Sequence, residues 1–127
     1  MPRRARRGWG SSCCRFRSND YRLYVLSNTN PFVMDWARSS EFSPAGKPLD
    51  AYFDKLFLSY EMKCMKPDRA IFDRMAAEAP LVPAETLFID DSAANAAAGA
   101  ALGYRTFCPH SNSDWREEVR RILGAGV

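Results

Sequence analysis

The ten residues Thr86-Leu87-Phe88-Ile89-Asp90-Asp91-Ser92-Ala93-Ala94-Asn95 constrain this chain more than any other stretch. Thr86 to Ile89 are β-branched or apolar with no turn former among them, which predicts a short buried strand. Two carboxylates follow where that strand ends. Ser92 then opens an alanine-rich run closed by Gly103, the pattern of a helix capped at both ends. In an open parallel sheet, ligands bind beyond the carboxyl ends of the strands. Adjacent acids at such a place repel each other. A hard divalent cation such as Mg²⁺, which takes oxygen ligands and often a substrate phosphate, relieves that repulsion. A plainer reading uses the same residues: Asp91 or Ser92 caps the helix and Asp90 is solvated.

The remaining pattern alternates strand and helix. Tyr21–Leu26 reads as a strand ending in the small polar run Ser27-Asn28-Thr29-Asn30, with Pro31 suited to the first helical position. Phe32, Val33, Trp36 and Ala37 mark an apolar helical face after it. Ser39–Asp50, with Pro44, Gly46 and Pro48, reads as an irregular loop. Lys55–Ser59 is a second strand, and Tyr60–Met65 a polar connection. Pro67 restricts Lys66 to an extended conformation and opens a helix, with Ile71, Phe72, Met75, Ala76 and Ala79 on one face from Asp68 to Ala79. Pro80 and Pro83 break it. After the alanine-rich helix, Tyr104–Cys108 is a fourth strand. Ser113 is expected to cap a last helix whose inner face carries Trp115, Val119, Ile122 and Leu123. This order predicts an α/β, doubly wound parallel sheet. The alanines let their helix lie close on the sheet, and its N-terminus brings partial positive charge beside Asp91.

Size and charge bound the reading. A chain of 127 residues, 46% hydrophobic and 26% charged, suits one soluble domain with a real core. No apolar run approaches the roughly 20 residues of a membrane span, and no signal peptide is visible. Seven arginines against Asp20 give +6 over residues 1–22, which leaves −3 for the rest of a chain whose total is +3. Residues 1–20 are therefore set apart as an Arg-rich, disordered segment, and 21–127 as the domain. An out-of-frame start or a truncation scar would leave such a break. Nucleic acid is not an expected partner, unless through the Arg-rich arm. Cys13, Cys14, Cys64 and Cys108 lack zinc-ligand spacing and suit reduced thiols in the cytoplasm. His110 is the only histidine, and a surface loop accounts for it.

Three polar clusters sit at strand ends or helix starts: Ser27-Asn28, Lys66-Pro67 and Asp90-Asp91. Together they supply a hydroxyl donor, a fixed cation and a carboxylate pair, a set suited to holding a phosphoryl group. Singly, each has a plain explanation as a turn, a surface lysine or a cap. Their occurrence in order at strand ends is what gives them weight, and convergence on one cleft is the expectation.

Leu26-Ser27-Asn28-Thr29-Asn30, Lys63-Cys64-Met65-Lys66-Pro67-Asp68 and Leu87-Phe88-Ile89-Asp90-Asp91-Ser92-Ala93-Ala94-Asn95, with Ala98-Gly99-Ala100 and Leu102-Gly103-Tyr104, resemble the second to fourth motifs of the haloacid dehalogenase (HAD) superfamily. The Leu-Ser-Asn-Thr-Asn form resembles its sugar-phosphatase-like branch. The resemblance runs from Tyr21 to the C-terminus. It implies a HAD-like, Rossmann-like fold and Mg²⁺-dependent hydrolysis of a small phosphorylated substrate. Ser27 would hydrogen-bond the phosphoryl group with Asn28 beside it. Lys66 would neutralise phosphate and nucleophile, Asp90 and Asp91 would bind or orient Mg²⁺, and Asn95 would support the loop. Which acid ligates the metal directly stays open.

The family's first motif, an apolar strand followed by Asp-x-Asp, should lie upstream of Ser27. Met1 to Leu26 contains no such pattern, and Asp20 precedes a strand instead of following one. The resemblance therefore implies an incomplete core that lacks its central first strand, its nucleophilic aspartate and its helical cap. The chain is expected to be inactive alone and marginally stable, with strand edges left unpaired. A non-catalytic binding or regulatory fragment is the alternative. A receiver-type phosphoacceptor domain fits less well, because its acidic pair should come first in the chain.

Overall fold

Four short strands pair in parallel, two by two, among the described residues. The structure, a computed structural model, describes residues 21–79, 81–110 and 113–124. The expected disordered segment 1–20 and the helix-breaking role of Pro80 lie outside them. The chain divides into two compact units, Met1–Lys63 and Cys64–Val127.

In the first unit, β1 (Tyr24–Ser27) pairs with β2 (Lys55–Leu58), from Tyr24 opposite Lys55 to Ser27 opposite Leu58. The strand starts three residues later than Tyr21. Leu23 is tied to Asp54 instead, its N–H donating to the carboxylate at 2.7 Å and its carbonyl accepting from the Asp54 N–H at 2.8 Å. Helix α1 (Pro31–Ala37) begins as expected, with Pro31 in its first turn. Asn30 caps it, accepting the Val33 N–H at 3.0 Å. Its inner face differs from the expected one. Met34 and Ala37 are buried, whereas Phe32 is 84% and Val33 44% exposed. Met34 and Ala37, three residues apart, share a face; Phe32 points nearly opposite it and Val33 falls on its edge, which matches their exposures.

The supposed irregular loop contributes to the core. Phe42 and Leu49 pack with Met34, Ala37, Tyr52 and Leu58 in one apolar cluster, and the Trp36 and Phe42 rings meet edge-on at 5.4 Å. A 3-10 turn spans Leu49–Ala51. The buried Ser43 hydroxyl lies 2.7 Å from the Tyr52 hydroxyl and donates to the Lys47 carbonyl at 2.9 Å. These bonds give the loop's polar atoms partners where water is excluded. Beyond β2, the predicted polar connection starts with a single helical turn, α2 (Ser59–Met62), which ends at Lys63 in the left-handed region (φ 58°).

The second unit holds α3 (Arg69–Glu78), β3 (Leu87–Ile89), α4 (Ala93–Ala101), β4 (Arg105–Phe107) and α5 (Arg116–Gly124). Strand β3 pairs with β4, Leu87 opposite Arg105 and Ile89 opposite Phe107. Helix α3 buries Ile71, Phe72 and Met75, the expected face, starting one residue after Asp68. Pro83 opens a 3-10 turn, Pro83–Glu85. At α4 the Ser92 hydroxyl accepts the Asn95 N–H at 3.3 Å, and Gly103 closes the helix with φ 94°. Ser113 lies three residues before the first residue of α5. Its hydroxyl turns back to the His110 carbonyl, and the carboxylate of Asp114 accepts the Arg116 N–H instead. A carboxylate also gains from the dipole at a helix start. Val119 is buried, and Trp115, Ile122 and Leu123 are half-buried. No helix among the described residues is long and apolar enough to cross a membrane.

Close packing of α4 on β3 is visible at Gly99. A Cβ there would stand 2.6 Å from the Phe88 ring. That ring cannot simply step aside, because Phe72 meets it edge-on at 5.5 Å. Gly99→Ala gains roughly 1 kcal/mol of helix propensity but incurs an overpacking cost of about 1–3 kcal/mol. A net loss of about 1 kcal/mol is expected, read as a lower urea midpoint; a raised midpoint would show that the ring has room.

Candidate active site

The second unit assembles its polar groups around one carboxylate. Asp90 follows the last residue of β3, and its N–H still donates to the Phe107 carbonyl at 3.2 Å, so the ladder orients it. One carboxylate oxygen, Oδ1, accepts the Ser92 N–H at 2.8 Å. The other, Oδ2, accepts from Lys66 Nζ at 2.6 Å and from Asn95 Nδ2 at 3.2 Å. The Lys66 and Asp90 side chains are 10% and 7% exposed. Burial by itself would raise the Asp90 carboxyl. The Lys66 ammonium, the Ser92 N–H and the Asn95 amide all favour the ionised form, and the net position is below the ordinary value of 3.8.

Asp91, by contrast, is exposed at the start of the turn into α4. Three donors already occupy most of the roughly four lone-pair sites of Asp90. Among the described residues no three His, Cys, Asp or Glu side chains are placed to share a metal ion. Asp91, with Asp90 beside it, would suit a cation that accepts one or two carboxylates and keeps waters and phosphate oxygens for the rest. Mg²⁺ binds in that way.

Ser27 and Asn28 belong to the first unit, while Lys66, Asp90, Asp91 and Asn95 belong to the second. Ser27 is the last residue of β1 and is half-buried; Asn28 is exposed. The loop they begin is held from the first residue of α2. The Ser59 hydroxyl accepts the Thr29 N–H at 2.9 Å and donates to the Thr29 carbonyl at 3.1 Å. Sequence reading placed Ser59 as the end of a strand and missed this grip. Its signal was a small hydroxyl at a second strand end, next in line after Leu58, which faces Ser27.

The second unit thus holds a strand-end acid pair, a lysine on the first acid and a capped helix behind them. The family model of haloacid dehalogenase-like hydrolases matches residues 11–103, and the chain belongs to that family. D-ribitol-5-phosphate phosphatase of Bacteroides thetaiotaomicron is 51% identical over 105 residues, which is 83% of this chain and 51% of that protein. A HAD-like family hydrolase from Porphyromonas gingivalis superposes with a TM-score of 0.90 at 42% identity, over 93% of this chain and 57% of that one. A HAD family enzyme from B. thetaiotaomicron, solved with magnesium and inorganic phosphate, gives 0.77 at 36% identity, over 85% and 54%. The chain thus spans about half the length of these relatives. Their agreement supports the HAD-like α/β fold expected from the motifs.

Two outcomes follow from this geometry. A carboxylate whose folded value is depressed stabilises the fold above its ordinary value and loses that contribution as pH falls through the folded value. In EDTA, wild type should exceed Asp90→Asn in stability at pH 7, and the gap should close below about pH 4. Urea unfolding at both pH values measures this, and a gap independent of pH would contradict it. Ser59→Ala removes both bonds to Thr29, with an expected cost of about 1–3 kcal/mol and faster amide exchange at Thr29. Undiminished protection of that amide would mean the loop is held by other groups.

Proposed function

We propose that this chain carries the phosphate-holding residues of a Mg²⁺-dependent phosphate monoesterase acting on small, sugar-phosphate-like substrates. The observation that carries the reading is the buried Lys66–Asp90 pair at 2.6 Å, backed by Asn95 and the Ser92 N–H. The 51% identity to a D-ribitol-5-phosphate phosphatase supports the substrate class. A HAD family relative crystallised with magnesium and phosphate supports the cofactor.

Lys66 brings a fixed positive charge to a phosphate, and Asp90 keeps that ammonium aimed. Asn95 keeps Asp90 aimed in turn. Asp91, exposed beside it, is the acid we assign as direct ligand, with Asp90 in the supporting part. In the first unit, Ser27 is the hydroxyl that the family resemblance implies as a phosphoryl donor, with Asn28 beside it. Mg²⁺, when bound, neutralises charge on those oxygens. The covalent route that the family resemblance implies needs an aspartate nucleophile. Residues 1–26 contain Asp20 alone, ahead of β1 and outside any Asp-x-Asp. This chain by itself therefore binds phosphate without turning over an ester. The same fact favours the second reading, a non-catalytic binding or regulatory fragment.

Calorimetric titration of the full chain with inorganic phosphate tests the reading. Binding should require Mg²⁺. It should fall at least tenfold in Lys66→Met, since a charge-assisted hydrogen bond is worth about 1.5–3 kcal/mol, and severalfold in Ser27→Ala. Binding indifferent to Mg²⁺ and to both substitutions would refute the proposal. Steady Mg²⁺-dependent turnover of a phosphate monoester would refute the claim that the chain only binds.

A further inference from the structure

Phe88, the middle residue of β3, lies opposite Thr106 of β4, and its ring touches three things. Phe72 of α3 meets it edge-on, with centroids 5.5 Å apart at 90°. Gly99 of α4 lies so close that a Cβ would come within 2.6 Å of the ring. The Lys66 ammonium stands over the ring face, 5.9 Å from its centroid. Two helices thus fix the ring, and the ring offers a face to the lysine.

A lysine needs such a wall. Its four-carbon stem leaves the ammonium several places to go, and a single carboxylate sets a distance more firmly than a direction. An aromatic face attracts the ammonium through its quadrupole and gives the stem an apolar surface to lie on. We infer that Phe88 is a positioning residue for Lys66, holding the ammonium over its ring while Asp90 draws it from the side. Gly99 has a part in this, because any side chain there would displace the ring. The inference rests on the reading of Lys66 as a phosphate-binding group.

The test separates the ring's electrostatics from its bulk. Phe88→pentafluorophenylalanine keeps the shape and reverses the quadrupole, and Phe88→Leu removes the ring. In the full chain, both should weaken Mg²⁺-dependent inorganic phosphate binding about two- to fivefold, the range expected for losing one cation–π contact. The urea midpoint of the fluorinated chain reports separately what the change costs at the Phe72 and Gly99 contacts. If it binds phosphate as wild type does while Phe88→Leu does not, the ring merely packs and the inference is overturned. A second readout does not depend on phosphate at all. The Lys66 ammonium protons, followed by ¹⁵N NMR, should exchange with water faster in the fluorinated chain, and equal exchange would overturn the inference. Wild-type chain that binds no phosphate would sink the functional reading alone, leaving the positioning claim to be decided by that exchange rate.

Discussion

A carboxylate taken out of water must find partners, and the second unit is arranged around that need at Asp90. Its side chain is almost wholly buried, where an unpaired charge is costly. Lysine, a backbone N–H and an amide meet it from three separate places: the connection before α3, the turn into α4 and the first turn of α4 itself. Each partner is also a positional constraint. The lysine is pinned, the turn is pinned, and the helix start follows.

That arrangement is reached because α4 is thin. Its alanines and Gly99 let it approach β3 until the Phe88 ring touches its backbone side. Close approach brings the Ser92 N–H and Asn95 within reach of a carboxylate only one residue past the strand. A bulkier helix would stand farther off and weaken the same bonds. The packing of an apolar layer and the aim of a polar one are therefore a single problem in this unit, and Phe88 belongs to both.

The first unit solves a smaller version. Two parallel strands leave their ends as a loop and a helical turn, and the Ser59 hydroxyl fastens one to the other through both backbone groups of Thr29. The residues beyond α1 fold back as core, with Phe42 and Leu49 in the apolar cluster and the Ser43–Tyr52 pair giving polar atoms partners inside it. A stretch dense in proline and glycine looked like surface. It became interior because four short elements offer too little apolar area by themselves, and nearby aromatic residues supplied the rest.

Much of this was written locally. Pro31 after Asn30, Ser92 before the alanines and Gly103 after them act within a turn of their own positions, so capping and element order were legible. So were the inner face of α3, which repeats every three to four residues, and the polar clusters Lys66-Pro67 and Asp90-Asp91, whereas Asn95 came only from the family resemblance and the Ser92 N–H from neither. What the chain alone left undecided involves partners far apart in it. Lys66 and Asp90 are 24 residues apart, and Thr29 and Ser59 are 30. The burial of Phe42, the exposure of Phe32 and the ring under Lys66 likewise depend on which surfaces meet. Local propensity ranks conformations of a segment and carries no term for a neighbour brought in from elsewhere. Only the tertiary fold, by excluding water from Asp90, turned an acid beside a helix into the centre of a hydrogen-bonded cluster.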